Sequence, residues 1–264
     1  LCSRIPSLPN FRCLCRGLMA GSGILEDPTG RSKEDVEQAL QTLKNCAERD
    51  SCLSACELIE AVTFRSTTVQ QRLVEMSGIE ILLESMKKYL QDKELQIMFC
   101  RVLQHVASIA PRELSNAGLC ALLKETLEVH TSEAAVHQAS WQVLELTVLM
   151  DEEARRLAIQ DGYPELVVAS LKKFRGPGDA AVQEACLAAL QALLESATSE
   201  LCQMVAKTGG IAAIIGALAD HRDNSQMQYW GQIVLANLCC DNPELRTEAQ
   251  RKCHWQKIEI DFDL

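Results

Sequence analysis

Apolar residues recur in four stretches of the chain with the same internal spacing. The stretches begin at Leu95, Val136, Val182 and Met227. When each first residue is numbered position zero, the apolar residues fall at positions zero, three or four, seven and eight, and at position eleven in three of the four stretches, the exception being Thr147. These positions lie on one stripe of an α-helix. The starts are 41, 46 and 45 residues apart, which predicts a helical repeat of ~43 residues.

A glycine keeps the same period. Gly78, Gly118, Gly162 and Gly210 each follow a short helical stretch and stand four residues before an apolar pair. Glycine inside a helix costs ~1 kcal/mol relative to alanine, so its recurrence indicates a sharp turn, where glycine adopts left-handed backbone angles freely. Each unit is therefore predicted to contain a short first helix, a glycine turn, a second helix, a polar loop and a more apolar third helix.

Incomplete units flank the four stretches. Upstream, alignment from Ser51 as position zero predicts another third helix, preceded by a second helix from about Val36 to Ala47. Downstream, only a polar first helix follows, from about Pro243 to Lys252, and we expect it to cover the last full unit. A single unit cannot bury its apolar faces alone, whereas stacked units can.

These observations divide the chain into three segments. Residues 1–33 are predicted to be a disordered leader, weakly basic and faintly like a transit peptide. Residues 34–252 form the repeat array, with about four full units and a partial unit at each end. Residues 253–264 form a tail that alternates polar and apolar side chains, and it is either a short exposed strand or disordered.

The repeat resembles a known family. The segments VQEACLAALQALL from Val182 and WGQIVLANLCCDNPELR from Trp230 are similar to the third-helix consensus of armadillo-repeat proteins. That family has three helices in ~42 residues, with a glycine between the first two, and the rival HEAT repeat usually lacks this glycine. The resemblance implies an all-α fold, a right-handed armadillo-type α-solenoid. The stretches from Ser85 and Ser170 are also similar to the armadillo region of leucine-rich-repeat kinases and of small armadillo-only proteins.

The composition of the chain restricts its fold class and the kinds of partner it is expected to bind. Hydrophobic residues make up 47% of the chain and aromatic residues only 4%, a balance that favours packed helices over sheets. The formal charge of −10 argues against nucleic acid as a partner, because neutralising phosphates requires a basic surface. No apolar run approaches the ~18 residues that a membrane-spanning helix needs, so no membrane partner is expected.

The 13 cysteines mostly lie within apolar helical patterns. A free cysteine behaves as a small buried hydrophobe, so we expect reduced core thiols and a cytoplasmic or nuclear protein. Cys13 and Cys15 lack partners at zinc spacing, and Cys239 and Cys240 have no histidine ligand within a turn. No spacing assembles a catalytic triad. We therefore expect no metal, no cofactor, no small-molecule substrate and no enzymatic activity.

The resemblance implies a protein–protein interaction scaffold that binds a peptide or helix in a concave groove of third helices. Family members that clasp extended peptides use Trp at position six and Asn at position ten; here only Asn237 matches, so a nuclear-localisation-signal receptor is not expected. Positions six and ten are still expected to line the groove. This surface is expected to be polar and partly basic at its N-terminal end, and smaller and more apolar toward its C-terminal end, which suits a partner segment with an acidic anchor and an apolar stretch. The expected groove residues are Arg101, His105, Gln142, Leu146, Ala188, Ile233 and Asn237.

Two alternatives stay open at this point. The polar residues at position one, Gln96, His137, Gln183 and Gln228, are either a stripe along the groove or solvated residues at helix starts. The chain itself is either an independent scaffold or the regulatory armadillo region of a larger multidomain enzyme such as a kinase.

Overall fold

The computed structural model describes residues 31–64, 66–195 and 197–260. Within these ranges the chain forms fifteen α-helices and no strand. The helices are α1 (Arg31–Asn45), α2 (Arg49–Thr63), α3 (Thr67–Glu75), α4 (Gly78–Lys88), α5 (Lys93–Ala107), α6 (Pro111–Asn116), α7 (Leu119–Val129), α8 (Ala134–Met150), α9 (Glu152–Gln160), α10 (Tyr163–Lys173), α11 (Ala180–Leu193), α12 (Ser199–Lys207), α13 (Gly210–Asp220), α14 (Ser225–Cys239) and α15 (Pro243–Gln256).

The helices group into stacked three-helix units. Four units are complete, α3–α5, α6–α8, α9–α11 and α12–α14, while α1 and α2 form a unit without its first helix. The third helices α2, α5, α8, α11 and α14 pack in that order, each against the next. The predicted α-solenoid of three-helix units is confirmed.

One continuous core connects the units. Position eight of each third helix is fully buried: the residues are Ile59, Leu103, Leu144, Leu190 and Leu235. Burying a side chain of this size contributes about 1.5–3 kcal/mol. The same position is buried in every unit because each third helix is covered on both sides by its neighbours, which is what a lone unit lacks.

The turn before the second helix uses a left-handed residue in each complete unit. Gly118 and Gly162 have φ angles of 90° and 81°, as predicted. In the other two units the prediction is wrong by one position, because the left-handed residues are Ser77 (φ 56°) and Gly209 (φ 82°). The glycines that follow them are already the first residues of α4 and α13.

Gly78 and Gly210 are small for a different reason. A Cβ atom on Gly78 would lie 2.6 Å from the carbonyl oxygen of Leu73, and one on Gly210 would lie 2.7 Å from that of Val205. Both distances are too short for van der Waals contact. These glycines therefore allow the second helix to approach the end of the first.

The position-one glutamines hold the end of the second helix in their own unit. Gln96 is fully buried, and its Nε2 donates to the carbonyl oxygens of Met86 (2.8 Å) and Tyr89 (3.0 Å). Gln183 and Gln228 donate in the same way to carbonyls at the ends of α10 and α13. Helix-terminal carbonyls lack intrahelical donors, so these residues cap helices. These glutamines therefore neither form a stripe along the groove nor stand as solvated residues at helix starts.

Two of the buried hydrogen bonds that connect different units join one side chain to another. Thr126 Oγ1 in α7 donates to Gln96 Oε1 in α5 (3.0 Å). His137 Nδ1 in α8 is hydrogen-bonded to Ser170 Oγ in α10 (2.9 Å), and the His137 ring lies 4.8 Å from that of Phe174. Burial lowers the pKa of His137 to about 4, so this histidine is neutral in the folded protein near neutral pH.

Helix α15 covers the end of the array by packing against α13 and α14, as expected for the final polar helix. It continues to Gln256, four residues beyond the array boundary predicted at 252, because Cys253 is buried in the core. At the other end α1 begins at Arg31, and the rest of the predicted leader lies outside the described residues.

In the part of the chain that the structure describes, no single helix is both long and apolar enough to cross a membrane. Helices α12 and α13 reach that length and apolarity only as a pair, and they are bent by 67° where they meet.

Candidate partner-binding surface

One side of each third helix remains partly exposed. In α8 the half-buried residues Gln138, Gln142, Glu145 and Leu149 occupy positions two, six, nine and thirteen, with Leu146 beside them at position ten. Steps of four, three and four residues place side chains on one helical face. This face lies opposite the apolar stripe that enters the core.

Because the five third helices pack side by side, these faces join into a continuous surface. We call it the third-helix surface and define it as positions two, six, nine and ten of α2, α5, α8, α11 and α14, together with position thirteen of α8. It extends along the described array, and it contains all the positions predicted to bind a partner. The predicted residues differ in exposure: Arg101 is exposed; His105, Gln142, Leu146, Ile233 and Asn237 are half-buried; Ala188 is buried.

His105 is less available than predicted. Its Nδ1 is hydrogen-bonded to Thr63 Oγ1 (2.8 Å), and its ring lies 5.6 Å from that of Phe64. Burial lowers its pKa, so His105 is uncharged near pH 7. The expected pair of cations is therefore reduced to Arg101, whose guanidinium contacts Met98 Sδ.

Other predicted residues have partly structural roles. Gln142 accepts a hydrogen bond from Gln104 Nε2 (3.3 Å), which connects α5 and α8. Leu146 packs against the core cluster. Ala188 and Ala192 are buried, and because their side chains are small, few atoms project from α11 at these positions.

Glu145 has the most unusual environment on this surface. Burial raises the pKa of its carboxyl to about 7, and the charge of Glu184 on the adjacent helix α11 adds to the effect. Among the residues that the structure describes, no hydrogen bond or ion pair reaches the Glu145 carboxyl. Glu184 accepts a hydrogen bond from Asn224 Nδ2 at 3.5 Å.

The charge of the surface differs from the prediction. Four glutamates, Glu57, Glu60, Glu145 and Glu184, lie at its positions in α2, α8 and α11, against one arginine, Arg101. Arg101 is the basic side chain expected near the N-terminal end, and the glutamates make the described surface acidic on balance. Sequence reasoning considered only positions six and ten, whereas three of these glutamates stand at positions two and nine.

The C-terminal end of the surface contains aromatic side chains that the sequence analysis did not place there. Tyr229 at position two of α14 is 39% exposed. Its ring lies 5.2 Å from that of Trp230 in a T-shaped arrangement. Ile233, one turn further along, is half-buried, so this end offers apolar area to a partner.

Comparison with solved structures identifies the fold. A designed armadillo repeat protein matches this chain with a TM-score of 0.67 at 17% identity, over 82% of this chain and 87% of the designed one. The chain has an armadillo-repeat fold. A designed armadillo repeat protein in complex with the peptide (KR)4 gives 0.68 at 16% identity over the same shares. An engineered protein of the Northeast Structural Genomics Consortium gives 0.66 at 20% identity, over 84% and 96%.

The sequence itself matches no protein-family model and no curated protein. These comparisons do not support the narrower resemblance to the armadillo region of leucine-rich-repeat kinases.

Within the armadillo-repeat fold, the third-helix surface of this chain has amide side chains at irregular positions. Gln138, Gln191 and Asn237 are half-buried there, and an amide both donates and accepts hydrogen bonds. No group of three or more histidine, cysteine or acidic side chains in the described ranges is placed to hold a metal ion.

Proposed function

We propose that this chain binds a peptide or helical segment of a partner protein along the third-helix surface. The proposal rests on one observation: five packed third helices present a continuous face with amide, charged and aromatic side chains. The armadillo-repeat fold supports the coarser statement that the chain is a repeat scaffold for protein binding. A designed protein of the same fold is in complex with a peptide, which supports peptide binding as the mode.

Different side chains along this surface are expected to contribute to affinity and to the positioning of the bound segment. Tyr229 and Ile233 offer apolar area, worth about 25 cal/mol for each Å² removed from water. Exposed charge pairs contribute only ~0–1 kcal/mol each, so Arg101 adds little affinity by itself. Amides such as Gln138 and Asn237 can pair with the backbone of an extended segment. The aromatic end should therefore supply most of the affinity, and the amides should set the position of the segment.

The proposal includes the remaining expectations from the sequence. The chain has no catalytic role, its partner is a protein rather than nucleic acid or a membrane, and its location is cytoplasmic or nuclear. The comparisons do not favour the alternative of a regulatory region belonging to a larger enzyme.

A peptide selection tests the proposal. A phage-displayed peptide library is selected on the purified chain, and the affinities of the recovered peptides are measured by fluorescence anisotropy. Ile233→Ser should weaken binding about tenfold or more, because it removes an apolar contact and adds a hydroxyl. Leu146 is a poorer choice, since it also packs against the core. Circular dichroism must first show unchanged helicity and melting.

The matched control lies on another face. A cleft of about 760 Å³ between α4, α6 and α7 is lined by Glu84, Leu83 and Leu122. Glu84→Gln should leave the affinity of the selected peptides within about twofold, as expected for an exposed residue outside the binding surface. Peptides that respond to Glu84→Gln but not to Ile233→Ser would show that the third-helix surface is not the site.

A further inference from the structure

A pocket lies between α13 and α15, at the C-terminal end of the array. It has a volume of about 350 Å³, and its lining includes Ala212, Ile215 and Gly216 of α13 and Arg251, Lys252 and Trp255 of α15. We call it the α13–α15 pocket. None of the described residues that line it belongs to a third helix, so it is a different site from the third-helix surface.

This pocket is positively charged, unlike the chain as a whole. Arg175, which follows α10, joins Arg251 and Lys252 in its lining, and no acidic residue of the described ranges lines it. The whole chain has a formal charge of −10. The local group of cations therefore complements an anionic ligand, whereas the net charge of the chain would repel one.

Two neighbours position the guanidinium of Arg175. Its Nε donates to Asp220 Oδ2 (2.9 Å), and its Nη2 donates to the same oxygen. A Cβ atom on Gly216 would lie 3.1 Å from Arg175 Cζ, so the absence of a side chain there allows the guanidinium to lie close against α13. Arginine has five N–H donors in a planar fork, and the donors that Asp220 does not use remain for a ligand.

The two cations of α15 are weakly engaged. Arg251 is exposed, and it forms no ion pair among the residues that the structure describes. Lys252 Nζ lies 3.6 Å from Glu248 Oε1, one turn earlier in the same helix, which is long for an ion pair and contributes little. Both side chains can therefore pair with an anion that a ligand brings.

Trp255 adds a large apolar surface beside these cations. It is 82% exposed, whereas Trp141 is fully buried. Tryptophan is highly buried on average in folded proteins and is enriched at protein–protein interfaces. Arg222 donates to the backbone carbonyls of Gln256 and Lys257, and it thereby holds the end of the helix that carries Trp255.

We propose that the α13–α15 pocket binds an acidic segment of a partner protein, in which one large apolar side chain packs on Trp255 and flanking carboxylates pair with Arg175 and Arg251. The planar guanidinium matches a carboxylate in shape and in hydrogen-bond geometry. An aromatic ring provides the area that an apolar side chain needs. This inference goes beyond the proposed function, because it adds a second binding site outside the third-helix surface.

The test uses a fluorescein-labelled acidic peptide, EEEFEEE, and fluorescence anisotropy with the full chain. Trp255→Ala should weaken binding of this probe about tenfold or more, as for a tryptophan that anchors an interface. Arg251→Gln should weaken it about threefold and reduce its salt dependence. Arg101→Gln makes the same change at the exposed arginine of the third-helix surface, and it should alter the affinity by about twofold or less.

A second measurement observes the tryptophan ring itself. The unlabelled probe contains no tryptophan, so the intrinsic tryptophan fluorescence comes from the protein alone. Acrylamide should quench the exposed Trp255 strongly in the free chain, and bound probe should reduce this quenching because it covers the ring. In Trp255→Phe the probe should leave the quenching unchanged.

Three results would overturn the site: no binding of the probe, equal losses of affinity for Arg251→Gln and Arg101→Gln, or wild-type quenching that the probe does not change. The proposed function is tested separately, because Trp255→Ala should leave the affinity of peptides selected on the third-helix surface within about twofold.

The competing occupant is the end of the chain itself. Asp261, Phe262, Asp263 and Leu264 also combine acidic and apolar side chains, and they lie outside the described residues. Asp261→Asn together with Asp263→Asn should leave the affinity of the probe within about twofold. Binding that becomes about tenfold tighter in this variant would show that these residues compete for the pocket, and it would overturn the assignment to a partner protein.

Discussion

Replacing Glu145 with glutamine should stabilise the folded protein, and the gain should depend on pH. The substitution removes a carboxyl that is costly to ionise where it stands, and it restores the residue type that is hydrogen-bonded at the same position in the preceding unit, Gln104. Few single changes are expected to increase the stability of a folded protein. For that reason the outcome is informative about the origin of the pKa shift.

The size of the effect follows from the pKa of Glu145, which is about 7 in the folded protein against an ordinary 4.5. Below about pH 4.5 the carboxyl is neutral in both states. As the pH rises toward 7, the unfolded chain releases the proton and the folded chain retains it, so the wild type loses stability. The full gap corresponds to about 3 kcal/mol. Because Glu145 is half-buried, water reduces this to about 1–3 kcal/mol.

The assay is urea unfolding of wild type and Glu145→Gln at about pH 5 and about pH 8, each fitted by linear extrapolation. The variant should gain little at the lower pH and the full amount at the higher one. Glu57→Gln, at an exposed position, should show no such difference. An equal gain at both pH values would mean that the glutamine acts through packing, and the charge argument would be refuted.

Three further substitutions test other features of the fold. Ser77→Gly should raise the free energy of unfolding by about 0.5–1 kcal/mol, because Ser77 has a left-handed backbone that glycine adopts without strain. Gly210→Ala should lower it by about 1–3 kcal/mol, since the added methyl group would meet Val205; urea unfolding measures both. His137→Gln should reduce the loss of stability that the wild type shows as the pH falls from about 6.5 to about 4, where the unfolded chain binds a proton at His137 that the folded chain excludes.

The sequence was sufficient to predict the units because the helical period of the buried stripe repeats in each of them. The turns were predicted less well. Two glycines at equivalent places in the sequence are required for different reasons. Gly118 has a left-handed backbone, whereas Gly78 allows the second helix to approach the end of the first helix closely. The spacing of glycines in the sequence does not distinguish these two roles, because both depend on how the first and second helices pack against each other.

The residues of the third-helix surface were predicted only in part, for a related reason. Position six of α8, Gln142, lies on it as expected from the helical period. Which residues flank that position depends on how α11 packs against α8, and this brought Glu145 and Glu184 together. The role of Gln96 at position one could not be predicted, because its hydrogen-bond partners are backbone carbonyls, which every residue type carries.

The hydrogen bonds between units limit how such an array can be rearranged. Thr126 in the second complete unit is paired with Gln96 in the first, and Ser170 in the third is paired with His137 in the second. Deleting the second unit would remove Thr126 and His137 and so break both pairs. Each buried polar group left without a partner would cost about 1–3 kcal/mol. The units share one architecture, yet they are not interchangeable parts. Grafts between solenoids should therefore exchange whole groups of units whose boundaries avoid these pairs.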